Sequence, residues 1–69
     1  MTTAYFTFGQ NHVHRVNGKT FDCDCVVKIT ADDPRSVMCE NFGLQWAFQY
    51  DKMPQATLDK YYPRGIIEL

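Results

Sequence analysis

The residue types that could do chemistry are concentrated between Tyr5 and Cys25, in the stretch YFTFGQNHVHRVNGKTFDCDC. His12 and His14 stand two apart, as do Cys23 and Cys25. On a strand such a pair shares one face, because the strand repeat is two. Imidazole and thiolate are both zinc ligands, so facing arms of a hairpin could offer four donors to a metal. The spacing matches none of the familiar zinc patterns, and the shared face is the one that must pack a core. A small free cysteine on such a face is ordinary core filler. A metal-binding module is therefore an alternative here, and no resident cofactor is expected.

A second chemistry is recognition of phosphate and base. Gln10, Asn11, His12, His14, Arg15, Asn17 and Lys19 surround one strand and turn, while Lys60 and Arg64 flank Tyr61 and Tyr62. Arginine and lysine hold phosphates, and aromatic rings stack on bases. The expected polar and phosphate contacts are His12, His14, Arg15, Asn17, Lys19 and Arg64, with Tyr62 stacking. Exposed Tyr5, Tyr50, Tyr61, Tyr62 and Trp46 would also be natural hot spots of a protein-binding surface. The alternation around Trp46 makes it core, however, and Tyr61 and Tyr62 are the residues whose loss should break such a contact. Nothing resembles a nucleophile elbow, an HExxH helix, a P-loop or a dinucleotide fingerprint. A unit this small also gives little depth for a water-excluding pocket, so no enzyme is expected.

The elements that must position these residues can be placed from pattern. Ala4 to Phe8 alternates as a strand, with Phe6 and Phe8 on one face and Tyr5 and Thr7 on the other. Asn17-Gly18 is a strong hairpin signal, since a type I′ turn needs positive φ at both central residues. The register that follows sets Val16 opposite Lys19, His14 opposite Phe21, His12 opposite Cys23 and Gln10 opposite Cys25. The second arm, Phe21 to Thr30, carries Phe21, Cys23, Cys25, Val27 and Ile29 on its inner face. Asp33 and Pro34 open a helix, which runs to about Phe42 and stops at Gly43. Its Val37, Met38 and Phe42 should pack on the sheet, with Arg35 and Glu40 in water. Leu44 to Tyr50 alternates cleanly, predicting a strand with Leu44, Trp46, Phe48 and Tyr50 inward. Gln55 to Tyr61 suits a short helix ended by Pro63, and Ile66 to Leu69 a short edge strand. The order predicts an α+β fold: a small two-layer domain whose mostly antiparallel sheet has one helix packed on one face.

Composition narrows the function classes. At 69 residues there is room for one domain, whose core is small enough that self-association into a homo-oligomer is expected. A formal charge of −1 argues against bulk nucleic-acid binding. No apolar run nears the ~20 residues of a membrane span, and MTTAYFTF lacks the parts of a secretory signal. Three cysteines, an odd number, suit free thiols in a reducing cytosol.

The segments YFTFGQNHVHRVNGKTFD, FGLQWAFQYD and YYPRGIIEL together resemble a group of small proteins encoded by tailed bacteriophages. The resemblance covers most of the chain. It brings no activity with it, so no catalytic residue is carried over. What it implies is context: a phage reading frame expressed in the host cytoplasm. Small phage proteins of this kind often counter host defences, by sequestering an immune nucleotide or by blocking a defence protein or CRISPR complex. The expectation is a non-enzymatic accessory protein that acts as a sponge for a small signalling nucleotide. The alternatives are an anti-CRISPR-like inhibitor that binds a host defence protein, and a metal-binding module.

Overall fold

The computed structural model describes residues 1–69. Its elements in chain order are β1 (Thr2–Thr7), β2 (His14–Val16), β3 (Lys19–Phe21), β4 (Cys25–Ala31), α1 (Pro34–Phe42), β5 (Gln49–Tyr50), α2 (Gln55–Tyr61) and β6 (Gly65–Glu68). The fold is α+β. Four strands form one sheet in the order β5-β1-β4-β6, and β2 and β3 form a separate two-stranded ribbon. β1 pairs antiparallel with β4 and β5, whereas β4 and β6 run parallel.

β1 and β4 carry the core because their alternation is apolar toward α1. Ala4 faces Ile29 and Phe6 faces Val27 across the ladder. All four are essentially inaccessible, together with Phe21, Cys25 and Met38. α1 brings Met38 and Phe42 onto this face, and Val37 lies at its margin. Pro34 occupies the first turn, where its missing N–H costs no hydrogen bond. The helix stops at Gly43, whose N–H donates to the Cys39 carbonyl.

The expected long hairpin is broken into two nested ones. Thr2 to Thr7 pairs with Val26 to Ala31, while the tip pairs only from His14 opposite Phe21 to Val16 opposite Lys19. Those two tip pairs match the sequence register, and the turn between them has positive φ at Asn17 (52°) and Gly18 (79°). The pairings of His12 with Cys23 and Gln10 with Cys25 do not form. One cause is a tight loop in which the His12 N–H donates to the Gly9 carbonyl and the Gly9 N–H donates to His12 Nδ1, each at 3.0 Å. The other is Asp22, whose Oδ1 accepts from the Asp24 N–H at 3.0 Å. That local bond competes with the ladder. Cys23 is turned out of the core as a result, and half exposed.

A second correction concerns Leu44 to Tyr50, of which only Gln49 and Tyr50 are strand. Thr7 is opposed by two residues: its N–H donates to the Phe48 carbonyl at 3.0 Å, and its carbonyl accepts from Ala47 N–H at 2.8 Å. This bulge shifts the facing of the segment by one residue. Trp46 still packs edge-on against Phe6, with centroids 5.1 Å apart. Phe48 and Tyr50 emerge on the opposite face and are exposed, as is Leu44.

That opposite face is not open to water throughout. Thr7, Val26 and Ile66 lie in one row across it, with Tyr5, Lys28 and Glu68 in the next. Thr7 and Val26 are nevertheless fully buried. α2 shields them: Leu58 is its one buried residue, and the Tyr62 side chain just beyond it neighbours Thr7. Helices thus cover both faces of the sheet, α1 over the main core and α2 over a smaller one. No helix is long and apolar enough to cross a membrane.

Candidate ligand-binding site

The histidine-rich loop and ribbon hold their polar groups in structural roles. His14 packs between Phe8 and Phe42, with centroids at 5.6 and 5.0 Å. Its Nε2 lies 2.9 Å from the Gln45 carbonyl oxygen, and a carbonyl only accepts, so Nε2 carries a proton. His12 Nδ1 is occupied as an acceptor by Gly9. Asn17 supplies the left-handed turn residue. The Lys19 ammonium reaches the Glu68 carbonyl at 3.5 Å, which blunts the outer edge of β6. Arg15 is exposed and has no carboxylate partner.

Arg64 is the most engaged of the expected contacts. Its Nη1 pairs with Asp22 Oδ2 at 2.8 Å, its Nη2 donates to the Thr20 carbonyl at 2.8 Å, and its own N–H donates to the Asp24 carbonyl at 3.0 Å. Nor do the histidines and cysteines converge. No group of three or more His, Cys, Asp or Glu side chains is placed to hold a metal ion. Cys25 is buried and donates to the Asp22 carbonyl. Burial pushes its thiol pKa up. Such a thiol is a poor nucleophile.

The structure has one pocket, and it lies elsewhere, beside α2 on the smaller-core face. Tyr50 from β5 forms one wall. Lys52, Met53 and Pro54 come from the next loop, Thr57 and Tyr61 from α2, and Tyr62 from just beyond it. Its volume is about 360 Å³, at the lower end of small-molecule sites. Pro54 opens α2 and sets the entry of this loop. Burial raises the Tyr62 phenol pKa, with Tyr50 adding to the shift and the Thr7 side chain opposing it. Its hydroxyl therefore stays protonated through neutral pH.

One cation lines the pocket, and a second lies over the ring of a lining tyrosine. Lys52 is the first, and the Lys60 ammonium sits 5.2 Å from the centroid of the Tyr61 ring. Ion pairs join Lys28 to Glu68 and Arg64 to Asp22, so neither Lys52 nor Lys60 is neutralised by a carboxylate. Three tyrosines with one unpaired lining lysine can stack a planar ring and hold an anion beside it. Of the expected contacts, only Tyr62 belongs to this pocket. The ribbon residues are not brought together with it, and His12 and His14 are tied to the loop and core instead. The sequence signal for the pocket was the run Lys60-Tyr61-Tyr62. Tyr50 was marked only as a protein-contact residue, and Lys52 and Thr57 carried no signal, because only the placement of α2 assembles the three.

A scan against protein-family models finds no match for this chain, and searches of curated proteins and of solved structures find none either.

Proposed function

We propose that this chain is a non-enzymatic binding protein whose ligand is a small signalling nucleotide, held in the pocket between β5 and α2. The observation that carries this is the lining of that pocket: three tyrosine rings with one lysine, Lys52, unpaired by any carboxylate. Tyr61 and Tyr62 would stack the base, and Lys52 would meet the phosphate. With the resemblance to tailed-phage proteins, this describes a phage accessory protein that sequesters an immune nucleotide in the host cytoplasm. A homo-oligomer fits the exposed Leu44 and Phe48 beside the short edge strand β5.

Isothermal calorimetry against a panel of cyclic mono- and dinucleotides tests the proposal. Saturable binding to the wild type is expected, weakened in Tyr61→Ala by roughly 1–3 kcal/mol, the worth of one stacked base. Lys52→Ala should weaken binding and flatten its dependence on salt. No heat at high micromolar nucleotide would remove the proposal.

One observation favours a second function, inhibition of a host defence protein by direct contact. Phe48 and Tyr61 are 64% and 57% exposed, and exposed aromatic side chains are typical interface anchors. Under this alternative the protein copurifies with a host component, and Phe48→Ser releases it while nucleotide titrations stay silent.

A further inference from the structure

The β2–β3 ribbon and the tyrosine pocket lie at different places in the fold, yet one residue joins them. Arg64 is two residues beyond Tyr62. The chain between α2 and β6 turns sharply there, closed by the Gly65 N–H donating to the Tyr62 carbonyl at 2.9 Å. Gly65 has φ 75°, a conformation that favours glycine. From α2 the turn is held by the Tyr62 N–H, which donates to the Leu58 carbonyl, and by the Tyr61 ring edge-on to that of Tyr62. The rest of the fastening comes from across the chain. Arg64 makes its three contacts, each at 2.8–3.0 Å, to Thr20, Asp22 and Asp24. Asp22 is in turn fixed: one carboxylate oxygen accepts from the Asp24 N–H and the other meets Arg64.

We infer that Arg64 is a positioning residue for the pocket, holding the Tyr62–Gly65 turn, and with it the Tyr62 ring, against the β3–β4 junction. This rests on the pocket being the ligand site. It also separates two roles for the same guanidinium. A phosphate ligand must offer free N–H groups to the nucleotide. A positioning residue has already used its fork on the protein, as this one has on a carboxylate and a carbonyl. A site held rigid before binding loses less freedom on binding, so loosening the turn weakens every ligand in the pocket, charged or not.

The test compares Arg64→Gln, Arg64→Lys and Asp22→Asn with wild type, using adenosine 5′-monophosphate and adenosine as probes. Amide hydrogen exchange in the ligand-free proteins is read first. Faster exchange at Tyr62 and Gly65 in Arg64→Gln and Asp22→Asn, with β1 and β4 amides unchanged, is the expected result. Arg64→Lys should fall between, because an ammonium can meet Asp22 without also reaching Thr20. In titrations, Arg64→Gln and Asp22→Asn should weaken both probes by a similar factor, about tenfold. A loss confined to the monophosphate, or seen in Arg64→Gln alone, would make Arg64 a phosphate ligand and overturn the inference. Unchanged exchange at Tyr62 and Gly65 would also overturn it. If the wild type binds neither probe, the exchange result alone decides whether Arg64 holds the turn. The nucleotide proposal then falls by itself. Should Arg64→Gln fail to fold, Asp22→Asn carries both arms, since Asp22 does not line the pocket.

Discussion

At the residue scale, side chains that look chemically rich are often spent on local structure. His12 satisfies Gly9, His14 satisfies the Gln45 carbonyl, and Arg64 satisfies Thr20 and Asp22. Replacing His14 by Ala should therefore lower stability by about 1 kcal/mol from the hydrogen bond alone, with a further loss of packing on Phe8 and Phe42. Nucleotide affinity should be untouched, and urea unfolding beside calorimetry reads the two effects apart. The sequence shows that a histidine can ligate or donate; it does not show which backbone group will claim it. That depends on how Gly9 and Gln45 are turned, which no spacing of side chains encodes. Tyr61 is the exception, 57% exposed. Adjacent tyrosines cannot both be buried on one short element, so exposure of a ring near Pro63 was legible. Trp46 presents the converse: its Nε1–H is enclosed with no acceptor, while Arg35 lies 5.4 Å from the ring centroid.

At the element scale, the parts set by strong local rules agree with the sequence. The Asn17-Gly18 turn, the helix from Pro34 to Phe42 and the short helix from Gln55 to Tyr61 were all legible, because turn chemistry, an N1 proline and a glycine stop act within a few residues. Replacing Gly18 by Ala should cost about 1–2 kcal/mol, the penalty of a left-handed L-residue, seen as a lower urea midpoint. The failures come from events that pattern does not record. The bulge opposite Thr7 reverses the facing of Phe48 and Tyr50 after Trp46. The carboxylate of Asp22 captures a backbone N–H and divides the hairpin. Asp22→Ala should thus disturb two elements at once, the β3–β4 junction and the turn after α2. Both would show in amide chemical shifts, while the β1–β4 ladder keeps its own.

At the scale of the whole molecule, a sheet covered by a helix on each face leaves little core per residue. A chain of this size is expected to hold roughly 0.05–0.15 kcal/mol of stability per residue. Phe6→Ala, at about 3–5 kcal/mol, would consume much of the total and leave the chain largely unfolded by circular dichroism. Stability should also fall in alkali. The buried Cys25 thiol and the Tyr62 phenol both have raised pKa values in the folded state. The folded chain then holds protons that the unfolded chain releases, so their contribution is full below the ordinary thiol and phenol ranges. It is lost as pH climbs through the raised values. A urea midpoint that drops from neutral toward strongly alkaline pH, with a smaller drop in Cys25→Ala, is the expected profile. The α+β class was legible in the sequence because it depends on which elements exist. The pocket was not, because it depends on α2 crossing the sheet face opposite α1. The most direct test of the central claim is a two-dimensional NMR titration of the wild type with a signalling nucleotide from the calorimetric panel. Shifts concentrated at Tyr50, Lys52, Thr57, Tyr61 and Tyr62 are predicted. Shifts concentrated instead at His12, His14, Arg15 and Lys19, or none at saturating ligand, would contradict it.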